Sequence, residues 1–161
     1  MRTIDTIVIH CAATSPSMDI GAAEIDRWHR ARGWFGCGYH FVIRRNGVLE
    51  SASTSRCRPL FQAGAHVGDC GPGWNARSIG ICLAGGVSEA DPPGFSANTS
   101  KPEDNFTEAQ RSTLIRLLRT LRDQFPFSRI LGHRDLIKET KAPPKACPSF
   151  DVAAFLKQAN F

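Results

Sequence analysis

Histidines, cysteines and one lysine supply the residue types in this chain that could hold a metal or attack a carbonyl. The most informative placement is Lys145-Ala146-Cys147-Pro148, preceded by Pro143-Pro144. Each proline fixes φ and biases its predecessor away from helix, so an extended segment is expected. Residues two apart then point the same way, which turns Lys145 and Cys147 toward one place. An ammonium beside a thiol favours the thiolate, the form needed for zinc ligation or nucleophilic attack. His10 and His133 close two apolar runs, and His133 precedes Cys147 by a short stretch. Two histidines and a cysteine are good zinc ligands, and three protein ligands leave the fourth tetrahedral position for water. Spacing alone leaves alternatives open. His66 or Cys11 as a fourth ligand would close the site, and Cys147 as a nucleophile with a histidine base would need no metal.

These residues need elements to position them. Thr6-Ile7-Val8-Ile9-His10-Cys11 is a β-branched apolar run and reads as a buried strand. Asp19 is a plausible N-cap for a helix reaching Arg32, with Ala22, Ile25, Trp28 and His29 inward and Gly33 as its stop. Tyr39 to Glu50 reads as strand, Asn46-Gly47 turn and strand, with Tyr39 and Phe41 on one face and His40 and Val42 on the other. Residues 51–76 read as a long loop containing His66. Ser78 to Gly86 reads as a strand with Ile79, Ile81 and Leu83 on one face. Its other face, Ser78, Gly80, Cys82 and Ala84, is small enough to admit a packed helix or a substrate. Residues 87–105 read as a polar, proline-rich loop. Thr107 to Gln110 is a capping box opening a helix whose stripe runs through Leu114, Leu117, Leu118, Leu121 and Phe125 to Pro126. A short strand then ends in His133, the Lys145–Cys147 loop follows, and a last helix buries Val152, Phe155 and Leu156.

Composition bounds the partners. The 161 residues suffice for one domain with a full core, and no second domain or repeat is visible. No apolar run approaches the roughly 20 residues of a membrane span. The first residues lack the apolar region of a signal peptide, so synthesis and retention in the cytoplasm are expected unless another agent releases the protein. The net charge of +5 suits an acidic polymer such as a cell wall, or simply solubility. Arginines 27, 30 and 32, and 111, 116, 119 and 122, fall on expected helices, and no nucleic-acid motif is present. Cys11, Cys37 and Cys82 read as small core residues, whereas Cys57 and Cys70 would pair only in an oxidising compartment.

Five blocks occur in one order: His10-Cys11-Ala12-Ala13-Thr14; Gly38-Tyr39-His40-Phe41; Asn75 with Ser78-Ile79-Gly80-Ile81; Gly132-His133-Arg134-Asp135; and Pro144-Lys145-Ala146-Cys147-Pro148. This order resembles the type-2 N-acetylmuramoyl-L-alanine amidases, related to the peptidoglycan recognition proteins, over most of the chain. The phage branch is the nearest match, through Trp28-His29 before Gly33-Trp34 and through Lys145 to Asp151. The resemblance implies an α/β fold: one domain over 1–161, a central mixed β-sheet flanked by helices, a zinc site in an open groove, and no separate wall-binding domain. It implies one Zn2+ held by His10, His133 and Cys147, with Tyr39 and Lys145 at catalytic positions. His66, in a Gly-Ala-His segment that recurs in the family, is expected to touch sugar or peptide. Asn75 either contacts substrate or turns the chain. Cys82 stands where many bacterial relatives carry a carboxylate, so the general base stays open.

The implied reaction is hydrolysis of the amide between the lactyl group of N-acetylmuramic acid and L-alanine in peptidoglycan. The implied setting is a monomeric phage or prophage endolysin, without nucleic-acid partner or stable membrane insertion, reaching the wall through a lesion made by another protein. The rival readings are a non-catalytic peptidoglycan-binding domain, a cytoplasmic muropeptide-recycling amidase, a cysteine amidase and a structural zinc protein.

Overall fold

The computed structural model describes residues 1–89 and 101–161. Its centre is β1 (Thr6–Cys11), in which every residue is buried. β1 pairs in parallel with β4 (Ser78–Leu83) on one side and with β5 (Arg129–Gly132) on the other. β2 (Phe41–Ile43) adds in parallel to β4, and β3 (Leu49–Glu50) closes the edge antiparallel to β2. The five-stranded mixed sheet therefore runs β3-β2-β4-β1-β5. A strand buried on both faces needs continuous apolar or small residues rather than alternation, which is the pattern of β1 and β4.

The two faces differ, and that difference positions the groove. Ile7, Ile9, Phe41, Ile43, Ile79, Ile81 and Leu83 face one layer, the helix α3 (Glu108–Gln124) with Leu114, Leu117, Leu118 and Leu121, joined by Val152 and Phe155 of α5 (Val152–Gln158). Full burial of each such side chain contributes about 1.5–3 kcal/mol. The opposite face carries two separate clusters. Val42, Cys82 and Ala84 pack under Ala22 and Ile25 of α1 (Ala22–Ala31). Val8 and Leu131 pack under Leu136 and Ile137 of α4 (His133–Thr140). His10 lies on β1 two residues beyond Val8 and in register with Cys82, so it falls where the two clusters meet.

Local chemistry sets the helix starts. Thr107 accepts from the Gln110 amide at 3.1 Å while the Gln110 side chain accepts from the Thr107 amide at 3.0 Å. Asp151 accepts from the Ala154 amide at 3.0 Å. α1 begins differently from the expectation. Asp19 does not cap it; its carboxylate pairs with Arg44 at 3.0 Å. The Gly21 and Ala22 amides instead donate to Glu24 and Glu50, at 2.8 and 2.9 Å, so a β3 carboxylate caps the helix from across the chain.

Other expectations shift as well. β5 stops at Gly132, and His133 is the first residue of α4, where a loop was expected; the Asp135 carboxylate accepts from the Gly132 amide at 2.9 Å and starts that helix. Tyr39 packs against the Val42 side rather than the Phe41 side, because it precedes β2 and strand alternation does not govern it. Trp28 is only half-buried, and Asp26 takes the inward place beside Ile25 and His29. Cys57 sits with Cys37 under α1, whereas Cys70 belongs to the α4 cluster, so Cys57 and Cys70 are not partners. A short helix, α2 (Trp74–Arg77), and a 3-10 turn (Gly68–Cys70) lie within the expected long loop. Of the loop expected over 87–105, residues 90–100 lie outside the described residues. Its described ends meet, with the Ser88 amide donating to the Lys101 carbonyl at 2.8 Å.

Candidate metal centre and groove

A groove of about 510 Å3 opens beside His10, between the α1 and α4 sides of the sheet. Every residue singled out from the sequence lines it: His10, Tyr39, His66, Asn75, His133, Lys145 and Cys147. The sheet supplies His10, the start of α4 supplies His133, and the proline-flanked loop supplies Cys147. The loop is anchored where the Arg134 amide donates to the Cys147 carbonyl at 2.8 Å.

The donor set suits a zinc ion. One ligand atom each from His10, His133 and Cys147 falls within 4.8 Å of the others, and Cys147 Sγ is 3.7 Å from His10 Nδ1. Zinc–sulfur and zinc–nitrogen bonds of about 2.3 and 2.0 Å at a tetrahedral angle separate two ligand atoms by about 3.5 Å. Each histidine also has its second nitrogen engaged. His133 donates Nε2–H to Asp69 Oδ1 at 2.9 Å, which leaves Nδ1 for a metal. His10 Nε2 meets His66 Nδ1 at 2.9 Å. Neither His66 nor Cys11 joins the ligand group. The Cys11 thiol instead lies 3.8 Å from Ser149 Oγ, and its amide donates to Cys147 Sγ at 3.4 Å.

Electrostatics favour the ligand forms of the imidazoles. Burial, with the neighbouring His66, His133 and Lys145, holds His10 far below the usual histidine range. Burial does the same to His66, and it lowers His133 against the opposing pull of Asp69. All three are therefore neutral near pH 7, the state in which imidazole binds metal. The thiol behaves otherwise than expected. The adjacent Cys11 thiol and burial push Cys147 up, and Lys145 does not offset this because its ammonium lies on Asp69 Oδ2 at 2.8 Å. A buried thiol of this kind becomes a thiolate when a cation arrives to hold it.

Asp69 is the site residue that sequence reasoning missed. Partial burial raises its carboxyl, but hydrogen bonds from Lys145 and His133 outweigh that and bring it down to about 2. It thus links a candidate ligand to a candidate catalytic cation. Nothing local marks it, since a lone aspartate in a glycine-rich stretch reads as a turn residue. Arg32 and Trp34 also line the groove, and Trp34 remains 41% exposed. Tyr39 sits with its ring centroid 5.1 Å from that of His10, and burial raises its hydroxyl well above the ordinary value. It is a proton donor throughout the neutral range. Asn75 Oδ1 accepts from the His66 and Val67 amides, both at 3.0 Å, so its side chain holds the His66 segment. Cys82, the position of the missing carboxylate, is fully buried, and burial keeps its thiol protonated.

The chain as a whole is similar to known proteins. The family model described as N-acetylmuramoyl-L-alanine amidase matches residues 1–150. The endolysin of Enterobacteria phage K11 is 40% identical over 149 residues, covering 92% of this chain and 83% of that relative. The solved N-acetylmuramoyl-L-alanine amidase LysC from Clostridium intestinale URNW superposes with a TM-score of 0.70 at 27% identity, covering 99% of this chain and 87% of that one. Wild-type Drosophila PGRP-LB shares the fold, with a TM-score of 0.60 at 19% identity over 98% of this chain and 81% of that one.

Proposed function

The chain belongs to the N-acetylmuramoyl-L-alanine amidase family, and from that premise we propose that His10, His133 and Cys147 hold one zinc ion that serves its hydrolytic reaction. The activity is that of a phage endolysin: hydrolysis of the amide joining N-acetylmuramic acid to L-alanine in peptidoglycan. The observation that carries the zinc assignment is the convergence of three donor atoms within 4.8 Å, one thiol and two imidazoles whose other nitrogens are already engaged.

Zinc bound there supplies Lewis acidity and a nucleophile at neutral pH. The protein's own groups do the rest. Tyr39, a phenol that stays protonated at neutral pH, donates a hydrogen bond to the amide oxygen as charge builds on it. Lys145, held at the groove by Asp69, brings positive charge to the same oxygen. The departing amine must leave neutral, and Tyr39 would relay to it the proton that the attacking water gives up. Asn75 and His66 form one wall; the Asn75 amide nitrogen, without a protein partner among the described residues, faces substrate. Arg32 and Trp34, also lining the groove, suit an anionic peptide and the face of a sugar. The enzyme acts as a monomer on the cell wall, reaching it through a membrane lesion made by another protein. No helix of the described residues is long and apolar enough to cross a membrane.

The test is digestion of purified peptidoglycan with and without chelator, followed by zinc addition. Release of stem peptide with new lactyl carboxylates and no new reducing ends, abolished by chelation and restored by zinc, is the expected result. Undiminished activity after complete zinc removal would instead make Cys147 a nucleophile. Binding without cleavage would make the groove a recognition site.

A further inference from the structure

His10 reaches the groove with one particular nitrogen free, and a chain of buried groups explains why. The Ser78 hydroxyl lies 2.7 Å from the Trp74 carbonyl and 3.2 Å from His66 Nε2. A carbonyl only accepts, and a serine has one proton to give, so the Ser78 hydroxyl donates to Trp74. Its oxygen then faces His66 as an acceptor, which requires the His66 proton on Nε2. A neutral imidazole carries one N–H, so His66 Nδ1 is bare. It meets His10 Nε2 at 2.9 Å and accepts from it. His10 therefore keeps its proton on Nε2 and presents an unprotonated Nδ1, the nitrogen 3.7 Å from Cys147 Sγ.

Water has little access to this chain. Ser78 is 0% exposed, His10 1% and His66 8%. The His66 ring is also clamped. A Cβ built on Gly64 would come within 2.5 Å of the ring, and one on Gly80 within 2.7 Å. Two glycines thus leave the slot the imidazole fills, while Asn75 holds the His66 amide.

We infer that Ser78 and His66 are positioning residues that fix the tautomer of His10, transmitting the polarity of the Trp74 carbonyl to the metal-facing nitrogen. This rests on the assignment of His10 as a zinc ligand. It adds that a serine on β4 and a backbone carbonyl of α2, neither in contact with the metal position, set how well His10 binds.

The experiment reads tautomers directly. Long-range proton–nitrogen spectra of the full chain, metal-free and zinc-loaded, should show His66 protonated at Nε2 in both states. Zinc-loaded His10 should carry its proton on Nε2. Ser78→Ala should let His66 take its proton on Nδ1, and zinc affinity measured by chelator competition should fall about 10- to 100-fold. Ser78→Thr, which keeps the hydroxyl, should restore the Nε2 tautomer and most of the affinity. A His66 protonated at Nδ1 in the native chain overturns the inference, and so does a Ser78→Ala variant with unchanged tautomers and zinc affinity. If Ser78→Ala does not fold, the native spectrum still decides. A native chain with the expected His66 tautomer but no zinc binding would overturn the metal assignment and leave the relay intact.

Discussion

The two candidate histidine ligands are supported in opposite ways. His10 rests on neutral, buried groups that end at a backbone carbonyl, through His66 and Ser78. His133 rests on a charged carboxylate at the groove edge, and that same carboxylate holds Lys145. A neutral buried chain is insensitive to salt and fixed in polarity, so it suits a job that must not change during turnover. An exposed ion pair is weak and easily remade, so it suits a cation that must leave its resting partner for the substrate. Asp69 therefore joins binding to catalysis in one residue, whereas Ser78 and His66 support only the ligand His10.

The largest expected effect comes from the charged side. Lys145→Ala should lower turnover by about 10²–10³-fold, the usual loss when one donor to a developing oxyanion is removed. Zinc affinity should change little, because Lys145 touches the ligand only through Asp69. Turnover and zinc content of the same preparation give both numbers. If zinc falls away with activity, Lys145 supports the metal instead of the reaction, and the contrast between the two sides collapses. Asp69→Asn is the next step down. The amide oxygen still accepts from His133 Nε2–H but loses its charge, so zinc affinity should fall about 10-fold, the low end for such partners. The loss should shrink at high salt, where the native pair is itself screened. Ser78→Ala should show no such salt dependence.

The sequence carried the sheet further than the site. β1, β4 and the β2–β3 hairpin follow from continuous β-branched runs and an Asn-Gly turn, signals that depend only on neighbours in the chain. The α3 stripe and its capping box are equally local. The ordered histidine, tyrosine, lysine and cysteine blocks named residues that the fold gathers in one groove. What stayed hidden depends on contacts between distant segments. Glu50 caps α1 from β3, so Asp19, the best local candidate, is passed over. Asp69 meets His133 and Lys145 only once a 3-10 turn, the start of α4 and the proline-flanked loop have come together. The small side chains of β4 read as room for a packed helix or a substrate; α1 takes that room beside Cys82 and Ala84, but nothing local announced that the His66 ring would take it beside Gly80. α4 is the one miss with a local signal. His133, Leu136 and Ile137 are spaced for one helix face, and Asp135 is placed to cap it.

The smallest effect probes the neutral side through acid. His40 lies behind His66, with ring centroids 5.9 Å apart; its Nδ1 accepts from the Gly80 amide at 3.0 Å, and its Nε2 lies 2.9 Å from the Gln62 carbonyl. Burial lowers it from 6.5 to about 4. The folded value lies below the unfolded one, so between the two the unfolded chain binds the extra proton. Stability is then complete above about pH 6.5 and is lost as the pH falls toward about 4. His40→Asn retains an acceptor for the Gly80 amide and removes the titration. Through that window its unfolding free energy, from urea denaturation, should change with pH less steeply than the native chain's, by up to about 1.4 kcal/mol per pH unit. Equal slopes would mean that His40 is already charged in the folded protein. The wall behind His66 would then tolerate charge, and an uncharged scaffold would no longer distinguish the His10 side from the His133 side.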